Sequence, residues 1–248
     1  MSARLSLPVI HEHLIPLAVN GTVDIQQLLP WVKQSLADNT YRLGQGYQGQ
    51  TLLYKQDGLQ IVIKTPHGRG LVKYFYTRML RHEHEVYLLL QDVAAVPKCY
   101  GLIDNTYLAI EYIDAKTIRQ GRPVNDSPFY QQLLSTIKQL HARNVAHMDL
   151  KKKENLLVNN QQQPVVIDFG AAVIYKPGFH PFNHYLYRLA KRFDFNAWIK
   201  HKYMRRLHEI SDNDLQYFDR TITESIASKI KRLYLWMKKG IANSRSKN

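Results

Sequence analysis

Asp149, Asn155 and Asp168 are the residues from which chemistry can first be read, in "HMDLKKKENLLV" and "PVVIDFG". All carry hard oxygen atoms. An aspartate such as Asp149 can orient a hydroxyl and accept its proton, while Asp168 and Asn155 offer oxygen ligands suited to Mg²⁺. The set matches the needs of phosphoryl transfer. That reaction asks little covalent help of a protein, but it needs the acceptor oxygen in line with the γ-phosphorus and the triphosphate charge neutralised.

Upstream, Lys64 ends the apolar run "IVIK" and could reach α- and β-phosphate oxygens; a surface lysine is the plain alternative. A lysine among apolar neighbours needs an anionic partner to stay charged. Glu83 and Glu85 lie in the helical stretch that follows, and Glu83 is preferred because Val86, Tyr87 and Leu90 place it beside an apolar stripe. His82 and His84 are two positions apart, so on a helix they point in different directions and make a poor metal pair. Gly44, Gly46 and Gly49 alone would suit any flexible turn. Placed between two strands, they favour a phosphate-covering flap over a dinucleotide-binding turn.

The elements that must position these groups follow from pattern. Two β-rich runs, 51–54 and 59–64, flank Asp57-Gly58, a favoured hairpin pair. Residues 71–91 space Leu71, Phe75, Met79, Val86, Tyr87 and Leu90 as the apolar positions of a helix. A second hairpin turns at Asp104-Asn105 and ends near Glu111. After Asp114, Asp126 or Ser127 caps a helix with Pro128 in its first turn and Phe129, Leu133, Leu134, Ile137 and Leu140 on one face. A short buried strand leads into Asp168, and from Asn183 the chain is helical and basic. The expected fold is α+β and two-lobed. It has an N-terminal extension at 1–38 capping a small β-rich lobe at 39–113, a mainly α second lobe at 114–205, and a basic helical region at 206–248.

The series "GQGYQG", "IVIK", Glu83, "EYI", "LHARNVAHMDL", Asn155 and "DFG" resembles the protein-kinase fold from Tyr41 to Gly170. The resemblance implies ATP and Mg²⁺ as cofactors. It makes Gly44, Gly46 and Gly49 a phosphate cover, Lys64 and Glu83 a nucleotide-clamping ion pair, and the backbone of Glu111 to Ile113 an adenine-binding hinge. It makes Asp149 the catalytic base and Asn155 and Asp168 the metal ligands.

The sequence departs from that family twice. Asn155 falls six positions after Asp149, one more than the family's loop allows. A local bulge could keep Asn155 on the metal, Glu154 could replace it, or the metal site could be broken. The first is expected, because "ENLLV" runs directly into a strand-like segment. After "DFG", moreover, the chain passes almost at once into a basic helix, with no long activation segment ending in Ala-Pro-Glu. This abbreviated lobe is similar to the bacterial lipopolysaccharide-core kinases, the Kdo and heptose group, and more distantly to RIO-like kinases. It implies a lipid-linked sugar hydroxyl as acceptor, with a serine/threonine protein kinase or a pseudokinase adaptor as alternatives.

The 34 Lys and Arg against 20 Asp and Glu give a formal charge of +14, which favours polyanionic partners: an anionic membrane surface, phosphorylated glycans, nucleic acid or the ribosome. In "ESIASKIKRLYLWMKKG", Ile226, Ile230, Leu233 and Met237 recur at helical spacing among lysines, as on a membrane-lying helix or on one packed against the second lobe. One cysteine, Cys99, cannot form an internal disulfide framework and suits a reducing compartment; it reads as packing. Pro8, Pro16 and the His11-Glu12-His13 cluster interrupt any signal-peptide core. The expected location is the cytoplasm, with peripheral attachment to the inner face of the cytoplasmic membrane.

Overall fold

The structure, a computed structural model, describes residues 18–19, 22–46, 49–56, 58–123, 127–204 and 206–219. The chain divides into two compact units, Met1–Arg81 with Tyr100–Glu111, and His82–Cys99 with Tyr112–Asn248.

The first unit opens with a two-residue ladder, β1 (Ala18–Val19) against β2 (Thr22–Val23). Asp24 then caps the 3-10 turn Ile25–Leu28 by accepting from the Gln26 amide. The helix α1 (Leu29–Asp38) follows and stops at Asn39, whose φ of 61° is a left-handed C-terminal cap. Next come β3 (Arg42–Gly46), β4 (Gly49–Gln56) and β5 (Leu59–Lys64). After α2 (Gly70–Leu89) the sheet is completed by β6 (Cys99–Ile103) and β7 (Tyr107–Glu111), in the spatial order β3-β4-β5-β7-β6.

Ile25, Leu28 and Val32 pack with Leu52, Ile61 and Ile63 in one buried cluster. Residues 25–38, read from sequence as part of an extension, therefore supply three of the ten buried residues of this cluster. Because strand side chains alternate, Ile61 and Ile63 on that face leave Val62 and Lys64 on the other. Asp104 and Asn105 both have positive φ, 48° and 50°, as a tight two-residue hairpin requires. Gly58 has φ of 75°; its expected turn partner Asp57 lies outside the described residues.

In the second unit, β8 (Ala115–Thr117), α3 (Ile118–Gly121) and α4 (Pro128–Ala142) precede β9 (Val145–Ala146), β10 (Leu156–Asn159) and β11 (Pro164–Val166). Then come β12 (Val173–Ile174), α5 (Pro181–Lys202) and α6 (Asp212–Leu215). β11, β10 and β8 form one small sheet, and β12 pairs with β9. Ser127 occupies the cap position of α4 with Pro128 next, while Asp126, the other expected cap, lies outside the described residues. Phe129, Leu133, Ile137 and Leu140 are buried as the periodicity predicts; Leu134 is only half-buried. Each such burial contributes about 2 kcal/mol. Two hydrogen bonds then fix α5 to α4, Tyr187 Oη to the His141 carbonyl (2.9 Å) and Trp198 Nε1 to the Tyr130 carbonyl (2.7 Å).

The helix α2 corrects one expectation. It is continuous, but Leu71 and Phe75, expected on a buried stripe, are 87% and 59% exposed. Burial begins further along, with Leu80, Glu83, Val86 and Tyr87. The amphipathic tail expected around Ile226 to Met237 lies outside the described residues.

Candidate active site

In the first unit, Lys64 is half-buried at the end of β5, beside Leu108 of β7 and Thr51 of β4 in the ladder. The Thr65 amide and hydroxyl both donate to the Gln50 carbonyl, which clamps the strand end just past the lysine. Gly44 and Gly46 lie in β3 and Gly49 begins β4, with Gly46 opposite Gly49 across the hairpin. Glu111 ends β7, and the chain crosses into the second unit between Glu111 and Tyr112, so the expected hinge 111–113 spans one of the three points at which the chain passes between the units.

The second unit holds the remaining candidates around one buried carboxylate. Asp194 of α5 is fully buried and accepts from the amides of His147 and Met148, both at 2.8 Å, and from His141 Nε2 at 3.0 Å. Met148 is thereby held at φ of 68°, a conformation costly for a residue with a Cβ and kept only where its surroundings over-determine it. On the far side of Asp149, His201 of α5 donates Nε2–H to the Leu150 carbonyl at 2.8 Å. Burial lowers the pKa of His201, opposed by its bond to the Leu150 carbonyl and assisted by Lys153 and Lys200. One helix thus grips the backbone on both sides of Asp149.

His147 is also buried, and its two nitrogens have distinct partners. Nε2 faces the Ile167 carbonyl at 3.0 Å and Nδ1 accepts from the Asp149 amide at 3.3 Å. A carbonyl can only accept, so the proton belongs on Nε2. The same imidazole joins the Asp149 loop to the strand leading into Asp168.

The extra residue is absorbed by a 3-10 turn, Lys153–Asn155. Asn155 is buried, donates Nδ2 to the Asp149 carbonyl (3.1 Å), and its own carbonyl accepts from the Ile167 amide (3.0 Å). Its amide nitrogen is therefore committed, leaving Oδ1 as the end that can serve as a ligand. Glu154 is 61% exposed on the side chain and pairs with Arg119 at 3.4 Å. Asn155, not Glu154, faces inward beside Asp149 and the residue preceding Asp168.

Asp168 adopts φ 66°, ψ 69°, and Phe169 after it is fully buried, edge-on to Tyr87 and against His147. Glu83, also fully buried, accepts from the Phe169 amide at 3.2 Å. Glu85 is exposed, with His82 4.0 Å away, and His82 bonds the Ala172 carbonyl (2.8 Å) while desolvation lowers the pKa of His84. Lys152 Nζ lies 2.5 Å from Asp149 Oδ2, and that bond raises the lysine's pKa.

The donors suit Mg²⁺ in kind: a carboxylate and an amide oxygen, both hard, with the rest of an octahedron left to phosphate oxygens and water. Among the described residues no cluster of three or more His, Cys, Asp or Glu side chains could hold a metal on its own. No described helix is long and apolar enough to cross a membrane.

Sequence reasoning missed Asp194 and His201. A signal did exist for the first: Asp194 is the only carboxylate from Ala171 to His208, inside a basic, aromatic helix.

Comparison with known proteins gives a match to the protein kinase domain over residues 38–191. Mitogen-activated protein kinase 5 of Arabidopsis thaliana is 35% identical over 102 residues, covering 38% of this chain and 27% of that protein. Serine/threonine-protein kinase D of Synechocystis is 32% identical over 82 residues (31% and 16%), and Aurora kinase of Saccharomyces cerevisiae 26% over 148 residues (55% and 40%). The matched region spans less than half the length of each of these relatives.

Proposed function

The chain belongs to the protein kinase domain family, and from that premise we propose that it transfers the γ-phosphoryl group of MgATP to an alcohol hydroxyl. The acceptor best supported by the relatives is a serine or threonine of a protein. The observation that carries the reading is the grip of Asp194 and His201 on the backbone around Asp149, since phosphoryl transfer depends on positioning above all.

In this reading Asp149 orients the acceptor hydroxyl and takes its proton. The hydroxyl oxygen bonds to the γ-phosphorus as the bond to the β–γ bridging oxygen breaks, and ADP departs with that electron pair. Lys64 steadies the α- and β-phosphates with Glu83 as its counter-charge, and Gly44, Gly46 and Gly49 cover them. Backbone atoms of Glu111 to Ile113 hold adenine. Asp168 and Asn155 would hold Mg²⁺, which when bound neutralises charge on the β- and γ-phosphates. Lys152 must leave Asp149 for the hydroxyl to enter, so it is placed to meet the anionic γ-phosphate.

A second acceptor, a lipid-linked sugar such as those of lipopolysaccharide core, is favoured by one observation. α5 begins at Pro181, eleven residues past Gly170, which leaves little chain between them to dock a peptide. The test is Mg²⁺-dependent transfer from labelled ATP by wild type and Asp149→Ala, offered a basic protein substrate or lipopolysaccharide extracts. Label on protein Ser or Thr supports the first acceptor, and label confined to the glycolipid moves the assignment to the second. Equal turnover by Asp149→Ala, or none by wild type, removes the catalytic reading and leaves an adaptor.

A further inference from the structure

We propose that the loop 176–182, with the first turn of α5, is a docking tip that inserts Phe179 and Phe182 into an anionic bilayer. Every residue from Lys176 to Phe182 is exposed. Phe179 is 92% exposed, Phe182 78% and Tyr185 60%. Side chains that line a groove for a peptide are partly enclosed by its walls. Rings this bare are projecting anchors, which suits insertion into a fluid phase more than closure around a partner.

The base of the tip is nonetheless fastened. Asn183 Oδ1 accepts from the Lys176 amide (2.8 Å) and its Nδ2 donates to the Ile174 carbonyl (2.9 Å). His184 Nε2 donates to the Lys176 carbonyl (2.8 Å), and Tyr175 stacks on the His184 ring at 4.6 Å. Gly178, at φ of 85° with open space around it, makes the turn that throws Phe179 outward. A pre-organised loop loses little freedom when it inserts.

Charge identifies the occupant. From Ala171 to Phe193 the sequence has no Asp or Glu, but it has Lys176, Arg188, Lys191 and Arg192. Exposed aromatics beside cations, with no carboxylate to repel lipid phosphate, fit the interface of an anionic bilayer. The first unit independently carries the same signature. Leu71, Tyr74 and Phe75 are exposed next to Arg69 and Lys73, and no Asp or Glu occurs from Gly58 to His82. The proposal does not depend on which acceptor the enzyme uses.

The test is flotation of the full chain with vesicles of phosphatidylcholine alone or mixed with phosphatidylglycerol, comparing wild type, Phe179→Ser/Phe182→Ser and Phe179→Trp/Phe182→Trp. Wild type should bind only the anionic vesicles, less so in salt. The serine variant should lose on the order of a hundredfold in partitioning, the tryptophan variant should keep it, and all three should share one melting temperature and one rate of ATP turnover without vesicles. Wild-type partitioning by the serine variant, equal binding to neutral vesicles, or no binding by wild type overturns the proposal. So does a serine variant that floats normally but has a higher KM for a protein acceptor or a changed oligomeric state. Because turnover is read without lipid, failure here leaves the phosphotransferase reading standing.

Discussion

Two loops of the second unit lean on the same helix and use it in opposite ways. The segment around Asp149 is pulled inward: α5 offers it a buried carboxylate and a buried imidazole, and even a methionine is held at positive φ. The segment from Lys176 to Phe182 is held outward, with its phenylalanines in solvent and its backbone fastened by Asn183 and His184. Polar groups inside and apolar groups outside both run against ordinary burial. Each inversion is kept by specific hydrogen bonds.

Damage to the inward loop should cost activity or stability, and damage to the outward one neither. Asp149→Ala should lower kcat by about a thousandfold without changing the melting temperature, since general-base assistance is of that order. Asp194→Ala touches neither substrate nor nucleotide, yet it strips two amides and an imidazole of their acceptor. It should cost about 3–5 kcal/mol in chemical denaturation, and an unchanged midpoint would dissolve the comparison. Asn155→Ala should reduce turnover by about a hundredfold, recoverable in part by raising Mg²⁺.

The next effect is on pH. Burial lowers the pKa of His201, so the unfolded chain binds its proton more readily than the folded one. Stability should therefore fall as pH drops below about 6.5 toward the depressed native value. His201→Gln, which keeps a donor for the Leu150 carbonyl, should flatten that slope. Smallest of all, Glu154→Gln and Phe179→Ser should each shift stability by less than about 0.5 kcal/mol. A large loss of turnover in Glu154→Gln would return Glu154 to the metal and contradict its pairing with Arg119.

What could be read beforehand was local. The turn at Asp104-Asn105 and the start of α4 at Ser127-Pro128 are written in a few adjacent residues, and the structure has both. The burial of Glu83 and the exposure of Glu85 were also legible, because the stripe Val86, Tyr87, Leu90 fixed which face of α2 is buried. The same periodicity misled at Leu71 and Phe75, since helical spacing says which residues share a face and not whether anything covers it. Asp194 stood out only as a lone carboxylate in a basic helix; two of its partners are backbone amides 46 and 47 residues away, which leave no trace in side-chain identity, so its role was not legible. The long loop around Lys153 lay between these cases. Its insertion was visible, but only the 3-10 turn shows that the added residue displaces Glu154 outward and spares Asn155.

The clasp at Asn183 has a consequence for how such a chain can diversify. By tying Ile174 and Lys176 to the start of α5, it isolates the turn at Gly178 from the helix that steadies Asp149. Loop closure becomes only slowly more costly with length, and exposed tips absorb insertions well. Between Lys176 and Phe182 new sequence can be grafted, by evolution or by design, while the grip of α5 on the backbone around Asp149 is inherited intact.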